Sequence, residues 1–210
     1  MYITTGDAHA SDTYSIGILK SNDGGQTWDT TGMQFGITDN KMVNKVIIHP
    51  TYTDSLFAVT DKNIKISADG GQTWSNALTS SGSTIIGRFR DIEFKPNNPN
   101  ILYAVKQTTG SSEVYKSTDR GLSWSSAMNG ISLVNRNRPL LAVTPANPDV
   151  VYVLFCKNDY GFHGIYKSTD NADSWTLQSD SPNILGRSTD GTSTGGQSWY
   201  DLSLGVSTED

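Results

Sequence analysis

One octapeptide pattern, Ser-x-Asp-x-Gly-x-Thr/Ser-Trp, is written four times in this chain. It occurs within KSNDGGQTW (Lys20 to Trp28), ISADGGQTW (Ile66 to Trp74), KSTDRGLSW (Lys116 to Trp124) and KSTDNADSW (Lys167 to Trp175). The opening serines, Ser21, Ser67, Ser117 and Ser168, stand 46, 50 and 51 residues apart. A period of about 40 to 50 residues with strand-like content is the mark of a propeller blade. Each period carries the same parts. An apolar run ends in Pro (KVIIHP, DIEFKP, LLAVTP) and a short turn follows (TYTD, NNPN, ANPD). A second apolar run comes next (SLFAV, ILYAV, VVYVL), then a third that enters the octapeptide (NIKIS, EVYKS, GIYKS), and a fourth starts at its Trp. Near-continuous apolar runs such as VVYVLF imply strands buried on both faces, which blades stacked around an axis provide. The fold expected is all-β: a β-propeller of four-stranded antiparallel blades, about four blades' worth, partial or permuted.

The octapeptide has a mechanical reading. The carboxylates of Asp23, Asp69, Asp119 and Asp170 and the serine hydroxyls can bond to N–H groups within a turn between third and fourth strands. Gly25, Gly71 and Gly121 can take positive φ. Trp28, Trp74, Trp124 and Trp175 can bury their rings and seal the hairpin. Ala172 replaces the glycine in the fourth copy, so a distorted turn is expected there.

These octapeptides resemble Asp-boxes, also called BNR repeats, which occur in sialidases, sortilin-type receptors and xyloglucan-cleaving glycoside hydrolases. Through its period the resemblance covers essentially the whole chain. The overall look is similar to large secreted bacterial proteins of the sortilin/xyloglucanase-like group, whose phrases between boxes resemble DTYSIGILKS and GGQSWYDL. It implies a propeller and an extracellular or cell-surface setting; it does not choose between enzyme and receptor, because the motif serves both.

Strands by this template fall at approximately 1-33 (three), 43-80, 89-128 and 138-180, with a lone closing strand at 200-207, all in one domain of 1-210. Two readings stay open: the tail completes the first blade, or the chain is a segment of a larger propeller. In the second, a homodimer could complete a ring of about eight blades.

The net charge of -5 and the absence of a basic run argue against nucleic acid. No apolar run approaches the roughly 20 residues of a membrane span, and Met1 leads straight into YITTGD without a signal-peptide pattern. Cys156, the sole cysteine, reads as a small buried hydrophobe. His9, His49 and His163 are too scattered for a metal site, so neither metal nor cofactor is expected.

In a propeller the boxes share one face, and the loops between second and third strands share the other with the inter-blade loops, where ligands bind. That second face collects GDAHASDTYS, KNDYGFHG, Arg88 and Arg90, Arg136 and Arg138, and the loop from Asp180 to Tyr200. The candidate ligand-face residues are Asp7, Asp12, Asp159, Arg187, Asp190, Gln197, Trp199, Tyr200 and Asp201. Carboxylate, amide and aromatic groups together suit a sugar, with a protein ligand as the other option. Asp7, Asp12 and Asp159 are candidates for a glycosidase pair, which needs about 5–5.5 Å or 6.5–9.5 Å between carboxyls. The recurring arginines invite comparison with a sialic-acid carboxylate grip, but the chain lacks Arg-Ile-Pro, the motif that resembles a sialidase start. The expected function is a non-catalytic scaffold or recognition module within a larger secreted protein. The alternative is a fragment of a xyloglucan-type glycoside hydrolase.

Overall fold

The computed structural model describes residues 1–7, 13–200 and 202–209. It is all-β apart from one short 3-10 turn at Ile37–Asp39. The first sheet has three strands, β1 (Tyr2–Thr4), β2 (Gly17–Lys20) and β3 (Asp29–Gln34). The second runs β4 (Val43–Ile48), β5 (Leu56–Thr60), β6 (Ile64–Ser67), β7 (Ser75–Asn76). A two-residue strand, β8 (Leu78–Thr79), leaves it to pair parallel with the third sheet. That sheet orders β9 (Arg88–Phe94), β10 (Leu102–Gln107), β11 (Glu113–Ser117), β12 (Ser123–Ser126). The fourth orders β13 (Pro139–Val143), β14 (Val151–Cys156), β15 (Phe162–Ser168), β16 (Thr176–Ser179). Within every sheet successive strands pair antiparallel, in the meander of a propeller blade.

Alternation along the second strand of each blade explains the double burial. On β10, Leu102 and Ala104 face the second sheet, while Tyr103 and Val105 face the fourth. On β14, Val151, Val153 and Phe155 face the third sheet. Apolar layers therefore join sheets one and two (Ile18, Met33, Val43, Ala58), two and three, and three and four. No such layer joins the first sheet to the fourth among the described residues. The blades form an open arc, so the tail does not lie beside β1.

Residues 202–207, expected as a closing strand, form no ladder. Leu202 and Leu204 pack with Leu185 on Leu154, Cys156 and Phe162 of the fourth sheet, and Thr144 Oγ1 donates to the Ser207 carbonyl at 2.5 Å. The tail covers the face that a following blade would take. A first strand pairs with the second strand of its own blade, and β1, the second strand on offer, lies at the far end of the arc.

All four boxes sit on the turn between third and fourth strands and share one hydrogen-bond pattern. In each the Ser hydroxyl donates to the Asp carboxylate at 2.7–2.8 Å and accepts the N–H of the fifth box residue at 2.8–2.9 Å. The Asp then accepts the hydroxyl and N–H of Thr27, Thr73, Ser123 or Ser174. Those donors hold the Asp69 and Asp170 carboxyls down at about 2, and Asp23 lower still. Asp119 is also lowered, although its partial burial acts the other way. The fourth turn is not distorted. Ala172 takes φ 66° where Gly25, Gly71 and Gly121 take 96°, 86° and 75°. The shared bonds impose the left-handed conformation, whose steric cost for alanine is about 1–2 kcal/mol, and the buried methyl joins the adjacent apolar layer.

The box Trp reaches beyond its own hairpin, although Trp74 and Trp124 also donate Nε1 to the Gly71 and Gly121 carbonyls of their own boxes at 3.1 and 2.8 Å. Trp74, Trp124 and Trp175 pack into the layer shared with the preceding sheet, and Trp175 Nε1 donates across to the Ala127 carbonyl at 2.9 Å. Trp124 is 1% exposed and Trp175 5%, whereas Trp28 is 38% exposed. The first sheet has no preceding sheet among the described residues, so the Trp28 ring has nothing to enter.

Candidate functional site

The innermost strands β4, β9 and β13 are tied by Asp91. Its carboxylate accepts Lys45 Nζ at 2.7 Å, the Ile92 N–H at 2.9 Å and the Leu141 N–H at 3.1 Å, linking three sheets. Glu93 takes the same ammonium at 2.6 Å. Burial pulls the Lys45 pKa down, but the two carboxylates outweigh it and the net shift is upward. Burial, with Asp91 adding to it, pushes Glu93 up.

At the ends of these strands away from the boxes lie the arginines. Arg136 Nε donates to the Ser112 carbonyl at 2.8 Å, and Arg138 donates to the carbonyls of Ser198 and Trp199. Arg90 Nε donates to Gln107 Oε1 at 2.5 Å. Burial and the neighbouring Arg88 and Arg138 charges lower the Arg90 pKa to about 9. These guanidiniums brace loops, and Arg138 holds up the 183–200 loop from beneath.

That loop is built against the β14–β15 turn. Asn183 receives the Phe162 N–H at 2.8 Å and donates to the Ser193 and Gly195 carbonyls at 2.9 and 2.8 Å. Gly196 approaches so closely that a Cβ there would stand 2.3 Å from the Tyr160 carbonyl oxygen, and its N–H donates to the Asp159 carbonyl at 3.0 Å. Buried Ser198 donates to the Tyr160 carbonyl at 2.6 Å. On this base Trp199 and Tyr200 stand half-exposed with ring centroids 4.0 Å apart at 77°. The Tyr200 hydroxyl donates to Gln197 Oε1 at 3.0 Å. The result is a small aromatic platform with an amide at its edge.

Of the residues expected on this face, Asp159, Gln197, Trp199 and Tyr200 come together. The Asp159 carboxylate accepts the Gly161 N–H at 3.0 Å. Asp190 bonds within its own loop, to the Thr192 hydroxyl and N–H at 2.8 and 3.1 Å, which lowers its pKa. Arg187 is exposed on the same loop. Asp7 lies in the β1–β2 connection of the first sheet and Asp159 in the β14–β15 turn of the fourth. Asp12 and Asp201 lie outside the described residues. Burial raises the Cys156 thiol to about 11, consistent with a packing role. No group of three metal-ligating side chains is clustered among the described residues, and no helix is long and apolar enough to cross a membrane.

The sequence matches the Sortilin-Vps10 family (sortilin, neurotensin receptor 3) twice, over residues 16–132 and 62–184, two matches offset by about one blade. No curated protein matches. Among solved structures, an ancestral GH74 enzyme superposes with TM-score 0.61 at 21% identity, over 82% of this chain and 23% of that one. The GH74 xyloglucanase of Xanthomonas campestris gives 0.61 at 14%, over 83% and 29%. YCF48 bound to D1 peptide gives 0.50 at 14%, over 87% and 58%. The chain thus spans less than a third of the GH74 proteins it resembles. At these identities the likeness is one of fold.

Proposed function

This chain belongs to the Sortilin-Vps10 family, and from that premise we propose that it is a non-catalytic recognition module that binds carbohydrate on the 183–200 loop. The observation that carries this reading is the Trp199/Tyr200 platform, held rigid from below by Arg138, Ser198 and Gly196 and edged by Gln197. Exposed aromatic rings stack on the apolar faces of sugars, and an adjacent amide takes hydroxyls. The parent protein is extracellular or cell-surface in this reading, as part of a larger secreted chain. Affinity electrophoresis in gels containing xyloglucan, other β-glucans or sialosides tests it. Retardation by at least one glycan, lost in Trp199→Ala and Tyr200→Ala, is expected. Retardation by none of them, or retardation unchanged by both variants, sinks the reading.

Two alternatives have support of their own. YCF48, which resembles this chain in fold, was solved with a peptide, so a protein ligand on the same platform is the second reading. The GH74 likeness supports polysaccharide cleavage by a longer parent, with this chain supplying part of the cleft.

A further inference from the structure

On the box face, opposite the platform, the junction between the second and third sheets differs from that between the third and fourth. In the second, third and fourth blades the box N–H at the fourth position donates to the turn between first and second strands. Gly70 bonds to the Asp54 carbonyl, Arg120 to Asn100 and Asn171 to Asp149, at 2.8–3.0 Å. Those bonds fix which residues correspond. Where the third sheet meets the fourth, two ion pairs cross the junction: Lys95 to Asp149 at 2.5 Å, with Asn171 on the same ammonium, and Lys116 to Asp173 at 2.6 Å, the second pair lining a cavity of about 290 Å³. Where the second meets the third, the corresponding residues are His49 for Lys95, Asn100 for Asp149, Ile66 for Lys116 and Leu122 for Asp173. Both ion pairs are gone, ammonium and carboxylate alike, and the cavity of about 230 Å³ there has no carboxylate in its lining.

Its lining is an apolar floor with positive and donor groups. Phe57, Ile66 and Leu122 give the floor, and His49, Tyr52 and Arg120 complete the wall. His49 is 3% exposed, and its Nδ1 accepts the Thr51 and Tyr52 N–H groups at 3.2 and 3.1 Å. The proton therefore sits on Nε2, a buried donor with no partner. Burial and the Arg120 charge both lower the imidazole pKa. Arg120 is exposed and held at φ 61°, and no side-chain acceptor for its guanidinium is present among the described residues. A buried unsatisfied donor costs about 1–3 kcal/mol, and a guanidinium favours a carboxylate over neutral acceptors.

We propose that this cavity binds a small carboxylate carried on an apolar body, the acid toward Arg120 and His49 and the body on Phe57, Ile66 and Leu122. The ligand supplies the carboxylate for Arg120 that the cavity lining lacks. The site is separate from the carbohydrate platform and stands or falls independently of it.

Benzoate is the probe, with benzyl alcohol lacking the charge and acetate lacking the body. In a 1H–15N NMR titration, benzoate should give saturable shifts at Thr51, Tyr52 and Leu122 and at the His49 ring. Each control should bind at least ~10-fold more weakly. Arg120→Asn and Leu122→Asp change exposed positions to residues that the fourth box itself uses, so both should fold, and each should weaken benzoate at least ~10-fold. Equal binding of benzyl alcohol, wild-type affinity in both variants, or no saturable shift at these residues overturns the proposal.

Discussion

Asp91→Ala removes the one carboxylate that ties three innermost strands. The variant leaves the Leu141 N–H without its acceptor, worth about 1–3 kcal/mol for a buried donor. It also removes a charge-assisted bond to Lys45, about 1.5–3 kcal/mol in isolation. Lys45 keeps Glu93 at 2.6 Å, and the carboxylate's own desolvation is relieved, so part of that second loss is recovered. The net expectation is a loss of roughly 2–4 kcal/mol, or roughly 6–12 °C in Tm for a chain of this length. Asp91→Asn keeps one acceptor oxygen and loses the charge, so about 1–2 kcal/mol is expected. Urea unfolding followed by tryptophan fluorescence measures both. If Asp91→Ala costs under about 0.5 kcal/mol, or Asp91→Asn costs as much as Asp91→Ala, the inner strands are not held in this way.

Trp124→Ala should cost about 3–5 kcal/mol, whereas Trp28→Ala should cost under about 1 kcal/mol, because only the first ring enters a preceding sheet; equal costs in thermal melts would refute the packing direction. Asp69 and Asp170 have folded pKa values near 2, below the ordinary 3.8, so their stabilisation is full above about pH 4 and is lost as pH falls toward 2; a Tm independent of pH between 4 and 2 contradicts the box bonding. Gly196→Ala should weaken the platform's glycan binding more than it lowers Tm, since its Cβ meets the Tyr160 and Leu185 carbonyls of the loop base; binding at wild-type strength in the gel assay contradicts the close approach. We further propose that a second copy covers the outer face of the first sheet, where Ile3 and Trp28 are exposed; light scattering should then exceed the 22.8 kDa of one chain, and a mass at that value at micromolar concentration refutes it.

The fold was legible because the box is a local device. Its serine, aspartate and hydroxyl partner lie within a few residues, so spacing alone places a turn between strands, and the period supplies the blades. What escaped is non-local. Trp74, Trp124 and Trp175 reach into the preceding sheet, a direction that periodicity does not encode, and the exposure of Trp28 follows from it. Ala172 read as a fault because residue preference was weighed without the four bonds that override it. Leu202 and Leu204 alternate as a strand does, yet a ladder needs a partner edge, and the open arc keeps β1 away from the tail. The His49 cavity left a signal that was readable on aligning the repeats: Asn100 stands between Asp54 and Asp149, and Leu122 stands where Asp173 follows.

On the proposed function, the boxes hold shape while the opposite face recognises a sugar without cleaving it. Calorimetric titration of a xyloglucan oligosaccharide, followed by a reducing-end assay on the same cell contents after prolonged incubation, tests it most directly. Saturable heat that Trp199→Ala abolishes, with no new reducing ends, is the predicted result. New reducing ends, or heat that survives Trp199→Ala, would contradict it.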